Sequence, residues 1–189
     1  MLRSKPILSF GLTCIGIYTV FILAGNYAGL GKKYGEVLRS KASTTLTNSN
    51  FKVRFKKINT EKFDTKIELT DQKKGIQSAC SFNTWMAGFL PTALICALTL
   101  ATPLSSIKRK LILLALGLVI ISIYVFIGIR IKIAVLHQQI AKAEQTFDNS
   151  FMDRAVDFIN TAIIDPVSVI FFVPVLVWGL LVFDKRDFV

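Results

Sequence analysis

Leu-Ile-Leu-Leu-Ala-Leu-Gly-Leu-Val-Ile-Ile-Ser-Ile-Tyr-Val-Phe-Ile-Gly-Ile, residues Leu111–Ile129, carries no charge, and only Ser122 and Tyr124 bring side-chain polar atoms. A helix rises 1.5 Å per residue, and the hydrocarbon layer of a bilayer is roughly 30 Å thick. A stretch of this length therefore just crosses that layer. Basic residues close it at both ends, Lys108-Arg109-Lys110 before it and Arg130 and Lys132 after it. A buried strand would be much shorter, so the stretch predicts a membrane-spanning helix.

Three further stretches carry no charged residue: Ile7–Leu30, Gly75–Ile107 and Pro166–Phe183. In a chain of 189 residues that is 52% apolar and 19% charged, with mean hydropathy +0.54, the charge is segregated rather than spread over a surface. That pattern excludes a soluble globular enzyme, a disordered tail and a disulfide-stapled secreted domain. The expectation is a mostly α membrane protein with four transmembrane helices at about 7–30, 84–104, 111–129 and 166–183. The first run follows Arg3 and Lys5 as a signal sequence would. It is longer than a signal-peptide core, and we expect a retained anchor. Gly11, Gly16 and Gly25 in this run allow another helix to approach closely. Trp85 and Trp178 suit the interface. Pro91 and Pro174 fall inside the second and fourth spans, and Pro91 is expected to kink its helix.

Residues 31–83 form the largest polar segment, with twelve basic and five acidic residues. Ser43 to Asn50 reads as loop. Phe51, Val53 and Phe55 then alternate with Lys52, Arg54 and Lys56, and Phe63, Thr65, Ile67 and Leu69 alternate with Asp64, Lys66 and Glu68. Period two marks half-buried strands, and Asn59-Thr60-Glu61 suits the turn between them. The expectation is a small extracytoplasmic β-hairpin over 51–69, between the first and second spans. Residues 130–162 keep helical apolar spacing at Ile133, Leu136, Ile140, Phe147 and Phe151. They read as an interfacial helix or an extension of the third span.

Charge sets the orientation and the partners. The tight turn Lys108-Arg109-Lys110 is the kind of loop that obeys the positive-inside rule, which places it and both termini in the cytoplasm. A raw count runs the other way, with seven basic residues inside and sixteen outside. Twelve of those sixteen lie in the long loop, interspersed with acids. The net charge of +11 flanks or connects the spans, where anionic lipid headgroups are the natural partners. The expected partners are the lipid bilayer, including those headgroups, and other membrane proteins. No nucleic acid is expected, since no recognition motif is present. Cys14, Cys80 and Cys96 form no CxxC pair, and His137 is the only histidine. No metal site or cofactor is expected.

One constellation could carry chemistry. Cys80 precedes the second span, Arg130 ends the third, and His137 follows two helical turns later. A thiolate nucleophile, a guanidinium holding an oxyanion and an imidazole base would suit acyl transfer. Arg130 and His137 share a helix face at i, i+7, about 10 Å apart by the helical rise, which is wide for one reacting centre. The plainer reading makes Arg130 a snorkelling anchor, His137 a solvated side chain and Cys80 incidental.

The first span, the hairpin, Cys80-Ser81 entering a span, the basic turn, Gly128-Ile129-Arg130-Ile131 and the last span with Trp178 together resemble the exosortase/archaeosortase group. These are membrane transpeptidase-like proteases that remove C-terminal sorting tails. The resemblance implies catalytic roles for Cys80 and Arg130, with His137 the available base. The chain departs from the family pattern in three places. Phe82 replaces a glycine, no asparagine precedes Arg130, and no histidine lies between His137 and the last span, where Asp153 and Asp157 stand. The segment from Leu90-Pro91-Thr92-Ala93-Leu94 through Ala97-Leu98-Thr99-Leu100-Ala101-Thr102-Pro103 is similar to the membrane proteins encoded beside exosortase H, which are non-catalytic companions. Three functions follow as expectations. The first is a non-catalytic multi-pass accessory protein of a sorting or envelope-assembly system in the bacterial inner membrane. The second is a divergent exosortase-like cysteine transpeptidase. The third is a small structural subunit of a transporter or respiratory complex.

Overall fold

The computed structural model describes residues 5–46, 51–58, 60, 62–73, 75–103, 106–143, 151–161 and 167–182. The chain is mostly helical with one small antiparallel sheet. In order it forms α1 (Lys5–Tyr27), α2 (Leu30–Leu46), β1 (Phe51–Lys57), β2 (Thr65–Asp71), β3 (Gln77–Phe82), a π-helical turn (Trp85–Phe89), α3 (Leu90–Ala101), α4 (Ile107–Ala143), α5 (Phe151–Ile159) and α6 (Val167–Val182).

Two helices, at Ile7–Tyr27 and Ile107–Ala141, are long and apolar enough to cross a membrane. The other two expected spans are represented by shorter apolar helices, Trp85–Ala101 and Val169–Val182. Leu104, Pro166 and Phe183, at the expected span limits, lie outside the described residues. The helices pack around α3, which touches α1, α4 and α6 and holds the fully buried Ile95 and Ala97. Outward-facing positions are large and apolar: Ile7, Leu12 and Ile15 on α1, Ile112, Val119 and Ile123 on α4, Phe172 and Leu180 on α6. A surface of this kind suits lipid rather than water.

The first helix is shorter than its charge-free stretch. The chain turns at Gly29, whose φ of 68° lies in the left-handed region that glycine tolerates. The Ala28 amide donates to the Ala24 carbonyl before the turn, and the Lys33 amide donates to the Gly29 carbonyl after it. Leu30 therefore opens α2 rather than ending α1. That second helix runs through Leu46, so Ser43–Leu46 are helical rather than loop, and residues 47–50 lie outside the described residues.

Pro91 lies within the unbroken helical run 84–101. It sits in the first turn of α3, where its missing N–H costs least. The irregularity falls just before it, where the Leu90 amide donates to the Trp85 carbonyl across a π turn.

The third expected span is the first half of a longer helix. The 37 residues of α4 extend about 55 Å at 1.5 Å per residue, nearly twice the hydrocarbon thickness. Arg130 does not end it. Residues 130–143 continue the helix, 144–150 with Phe147 lie outside the described residues, and α5 follows. Along α4, Ile121, Val125, Ile129, Ile133, Leu136 and Ile140 are buried. Their spacing of three and four draws one stripe down one face. A single core includes the first of these with Ile95 and Val177 and the last with Val53, Ile67, Leu69 and Phe82 of the sheet. One helix thus braces the apolar bundle with its first half and the sheet with its second.

The strands at 51–57 and 65–71 form the hairpin, and a third strand extends it in the order β1-β2-β3, antiparallel throughout. The hairpin closes through Ile58 N–H to the Asp64 carbonyl (3.0 Å) and Thr60 N–H to the Phe63 carbonyl (3.2 Å). Asn59 and Glu61 lie outside the described residues. An isolated hairpin is marginally stable. The third strand and the packing on α2 and α4 give this one its buried face, with Thr65, Ile67 and Leu69 wholly enclosed.

At the opposite end of α4, Lys110 Nζ donates to the Leu100 carbonyl at 3.0 Å, placing a cation at the negative end of α3. Trp178 Nε1 donates to Thr102 Oγ1 at 2.8 Å and stacks on Phe10 with ring centroids 5.4 Å apart. Lys108, Arg109 and Lys110, expected as the turn before the third span, lie in the first helical turn of α4, at the opposite end of that helix from the sheet.

Candidate functional site

Register assigns every side chain of the sheet to a face. Phe55, Ile67 and Cys80 form one cross-strand row, and Val53, Leu69 and Ser78 form the next. These point toward the core. Lys52, Arg54 and Lys56 of β1, Lys66, Glu68 and Thr70 of β2, and Gln77, Ala79 and Ser81 of β3 therefore point away. This outward face carries four cations and one acid. Lys56 stands directly opposite Lys66, a repulsive placement for like charges. Glu68 resolves it, reaching Lys56 Nζ at 2.7 Å and Lys66 Nζ at 3.2 Å. Lys56 above all, with Lys66 beside it, holds the Glu68 carboxyl below the usual carboxylate range. Arg54 lies opposite Glu68 in register, yet the carboxylate is engaged by the two lysines. Lys52 and Arg54 make no ion pair among the described residues.

Where the sheet meets the helices, a polar cluster joins three elements. Asp64 accepts from the Thr84 amide at 2.8 Å and from the Thr84 hydroxyl. This caps the apolar segment that begins at Trp85. Arg39 Nη1 of α2 donates to Thr65 Oγ1 at 2.9 Å. Gly35 makes room: a Cβ there would stand 2.7 Å from Thr84 Oγ1 and 3.2 Å from Arg39 Nη1. Asn83 adds a bond from its side-chain amide to the Lys62 carbonyl, and its Oδ1 accepts from the Met86 amide.

An aromatic group sits beside this cluster. Trp85 and Phe89 stack at 4.5 Å, and Tyr34 meets Phe89 edge-on at 6.1 Å. Three glycines fit around them. A Cβ on Gly25 would meet Trp85 and stand 2.6 Å from Phe89 Cε1. One on Gly31 would meet the Trp85 ring, and one on Gly88 would stand 2.5 Å from Tyr34 Cε1. Trp85, expected as an anchor in the headgroups, is half-buried in this packing. Burial pushes the Tyr34 phenol up from its ordinary range.

The three residues singled out for chemistry lie on two elements that touch, β3 and α4. Cys80 is half-buried in the middle of β3, paired with Ile67 and packed against the core. Arg130 is exposed, with its guanidinium 5.6 Å from the centre of the Phe126 ring, one turn back on the same helix. His137 meets the Phe51 ring edge-on at 4.1 Å. Burial pushes its pKa down, and the Asp71 carboxylate opposes that shift. Arg130 and His137 share α4 two turns apart, as their spacing predicts. The side chains of Asp153 and Asp157 lie outside the described residues. Among the described residues, no three of His, Cys, Asp and Glu are grouped to hold a metal ion.

Asp64, Arg39 and Gly35 were not singled out by sequence reasoning. Asn83-Thr84 immediately before an apolar run is a recognisable N-cap signal. The i, i+4 pair Gly31 and Gly35 marks a close helix contact. The acceptor of the cap, twenty residues earlier in a hairpin turn, has no such local signal. No family model matches the chain, and no curated protein or solved structure matches it either.

Proposed function

We propose that this chain is a four-pass, non-catalytic accessory protein of the bacterial inner membrane, with both termini cytoplasmic and the sheet outside. It serves a protein-sorting or envelope-assembly system of the exosortase-associated kind, and its outward sheet face receives the partner. The observation that carries the reading is the bracing of the sheet by α4. The sheet and the apolar bundle share one core, so the basic face is held at a fixed position relative to the bundle. Phe82 in place of a glycine and the missing histidine between His137 and the last span favour a scaffold over a reacting centre. The likeness of Leu90–Pro103 to exosortase H companions supplies the system.

Two measurements test this. Lys56→Cys and Arg109→Cys variants, labelled in intact cells with a membrane-impermeant maleimide, should react only at position 56. Photo-crosslinkers at Gln77 and Ala79 should capture an exported or membrane protein. Labelling at position 109 alone overturns the orientation. Cleavage of a sorting-tail peptide by the purified chain in nanodiscs, abolished by Cys80→Ala, overturns the non-catalytic role.

A further inference from the structure

Between α2 and α4 runs a groove of about 190 Å³. Tyr34, Val37, Leu38 and Lys41 form one wall, and Ser122 and Val125 form the other. A cavity of about 150 Å³ already admits benzene, so this groove takes a length of hydrocarbon chain. Residues 34, 37, 38 and 41 lie at helical spacing on one face of α2, so the groove follows that helix.

The walls are graded in polarity. Ser122 Oγ donates to the Leu118 carbonyl at 2.7 Å, so its hydroxyl is already used within α4. Val37 is 61% exposed, a large apolar side chain turned outward on a helix rich in lysine. Lys41 is exposed and makes no ion pair among the described residues. Glu36, the one acid of α2, lies toward Lys57 at 4.0 Å and does not line the groove. Lys33, two turns before Lys41, is also exposed.

Position completes the argument. Ser122 and Val125 belong to the charge-free part of α4. Arg130, five residues on and about 7.5 Å farther by the helical rise, ends that part. In a helix that crosses the bilayer, the groove then lies just inside the headgroup level. Apolar walls at that depth, with a cation at the rim that makes no ion pair among the described residues, match a lipid with a charged phosphate. We propose that the groove seats one acyl chain of an anionic phospholipid, with its phosphate held by Lys41. This rests on α4 crossing a membrane and is independent of the accessory role.

The test is native mass spectrometry of the full-length chain released from nanodiscs holding equal amounts of phosphatidylglycerol and phosphatidylcholine. The chain should retain phosphatidylglycerol preferentially. Lys41→Gln should lower that preference about fivefold, the factor equivalent to about 1 kcal/mol for one cation near an anionic surface. Val37→Trp, at an exposed position that tolerates bulk, should reduce retention of both lipids by filling the groove. Added inorganic phosphate should leave the bound lipid in place. Equal retention of the two lipids overturns the proposal. So does an unchanged preference in Lys41→Gln, unchanged retention in Val37→Trp, or displacement by phosphate. Each variant is checked for an unaltered melting temperature.

Discussion

Replacing Gly25 by alanine sets two effects of opposite sign against each other, and magnitude decides between them. Alanine favours a helix over glycine by about 1 kcal/mol at an interior position. Gly25 lies inside α1, so propensity alone predicts a more stable protein. The new Cβ, however, would stand 2.6 Å from Phe89 Cε1 and 2.7 Å from Phe89 Cζ, and would also meet Trp85. Carbon atoms in contact sit about 3.5–4.0 Å apart, so roughly 1 Å of overlap must be relieved. Neither ring can swing away cheaply. They are stacked on each other at 4.5 Å, and Gly31 also lies close against the Trp85 ring. Overpacking of this kind costs about 1–3 kcal/mol, which cancels or exceeds the propensity gain. Gly16 is the control: it lies in the same helix, and a Cβ there meets nothing within 4 Å. Thermal unfolding in detergent should rank Gly16→Ala above wild type and Gly25→Ala at or below it. Adding Phe89→Leu should recover part of the difference, so that the two changes together cost less than their sum. A melting temperature for Gly25→Ala that rises as far as that for Gly16→Ala would refute the packing argument.

Three further outcomes are expected. Asp64→Ala removes the acceptor for both the amide and the hydroxyl of Thr84, and should lower stability by about 1–2 kcal/mol. Asp64→Asn keeps one acceptor and should lose less, as denaturant unfolding of the two variants would show. The depressed pKa of Glu68 makes its contribution fully present above the ordinary carboxylate value of about 4.3 and lost as pH falls through the lower folded value. The melting-temperature difference between wild type and Glu68→Gln should therefore hold steady from neutral pH to mild acid and close below it. His137 is also depressed, and for a base the sign reverses. Below about pH 6.5, the ordinary imidazole value, the unfolded chain takes up a proton that the buried ring resists, so stability falls with pH. His137→Gln should flatten that slope, and an unchanged slope would show that the ring is not responsible.

The unpaired side of the sheet and the groove under α2 bear on how a small membrane protein offers binding surfaces. Glu68 binds two lysines, and Arg54 and Lys52 point outward with no ion pair among the described residues. A guanidinium in that position is suited to a carboxylate or phosphate, which it can grip with two parallel bonds. The groove offers the complementary chemistry, apolar walls with one cation. The two surfaces lie on different faces of the same braced unit, so occupancy of one need not block the other.

Properties that depend on the solvent around a segment were legible in the sequence. Partition between lipid and water is a sum over neighbouring residues, so Leu111–Ile129 and Ile7–Leu30 announce themselves without any partner, although the first helix ends at Tyr27. The alternation of Phe51–Phe55 and Phe63–Leu69 did the same for two strands, the second of which starts at Thr65, because one face must be buried and the next wetted. Tertiary structure decided the rest. Gln-Ser-Ala-Cys-Ser-Phe at 77–82 has small residues and no strong alternation, and it becomes a strand because β2 offers it an edge. Of the two readings of the residues after Arg130, interfacial helix or extension of the third span, the extension holds because Ile133, Leu136 and Ile140 find the sheet to pack on. The Asp64 cap and the glycine seats around Trp85 join residues distant in the chain. No window of sequence contains both sides of such a contact, so only the folded arrangement could settle them.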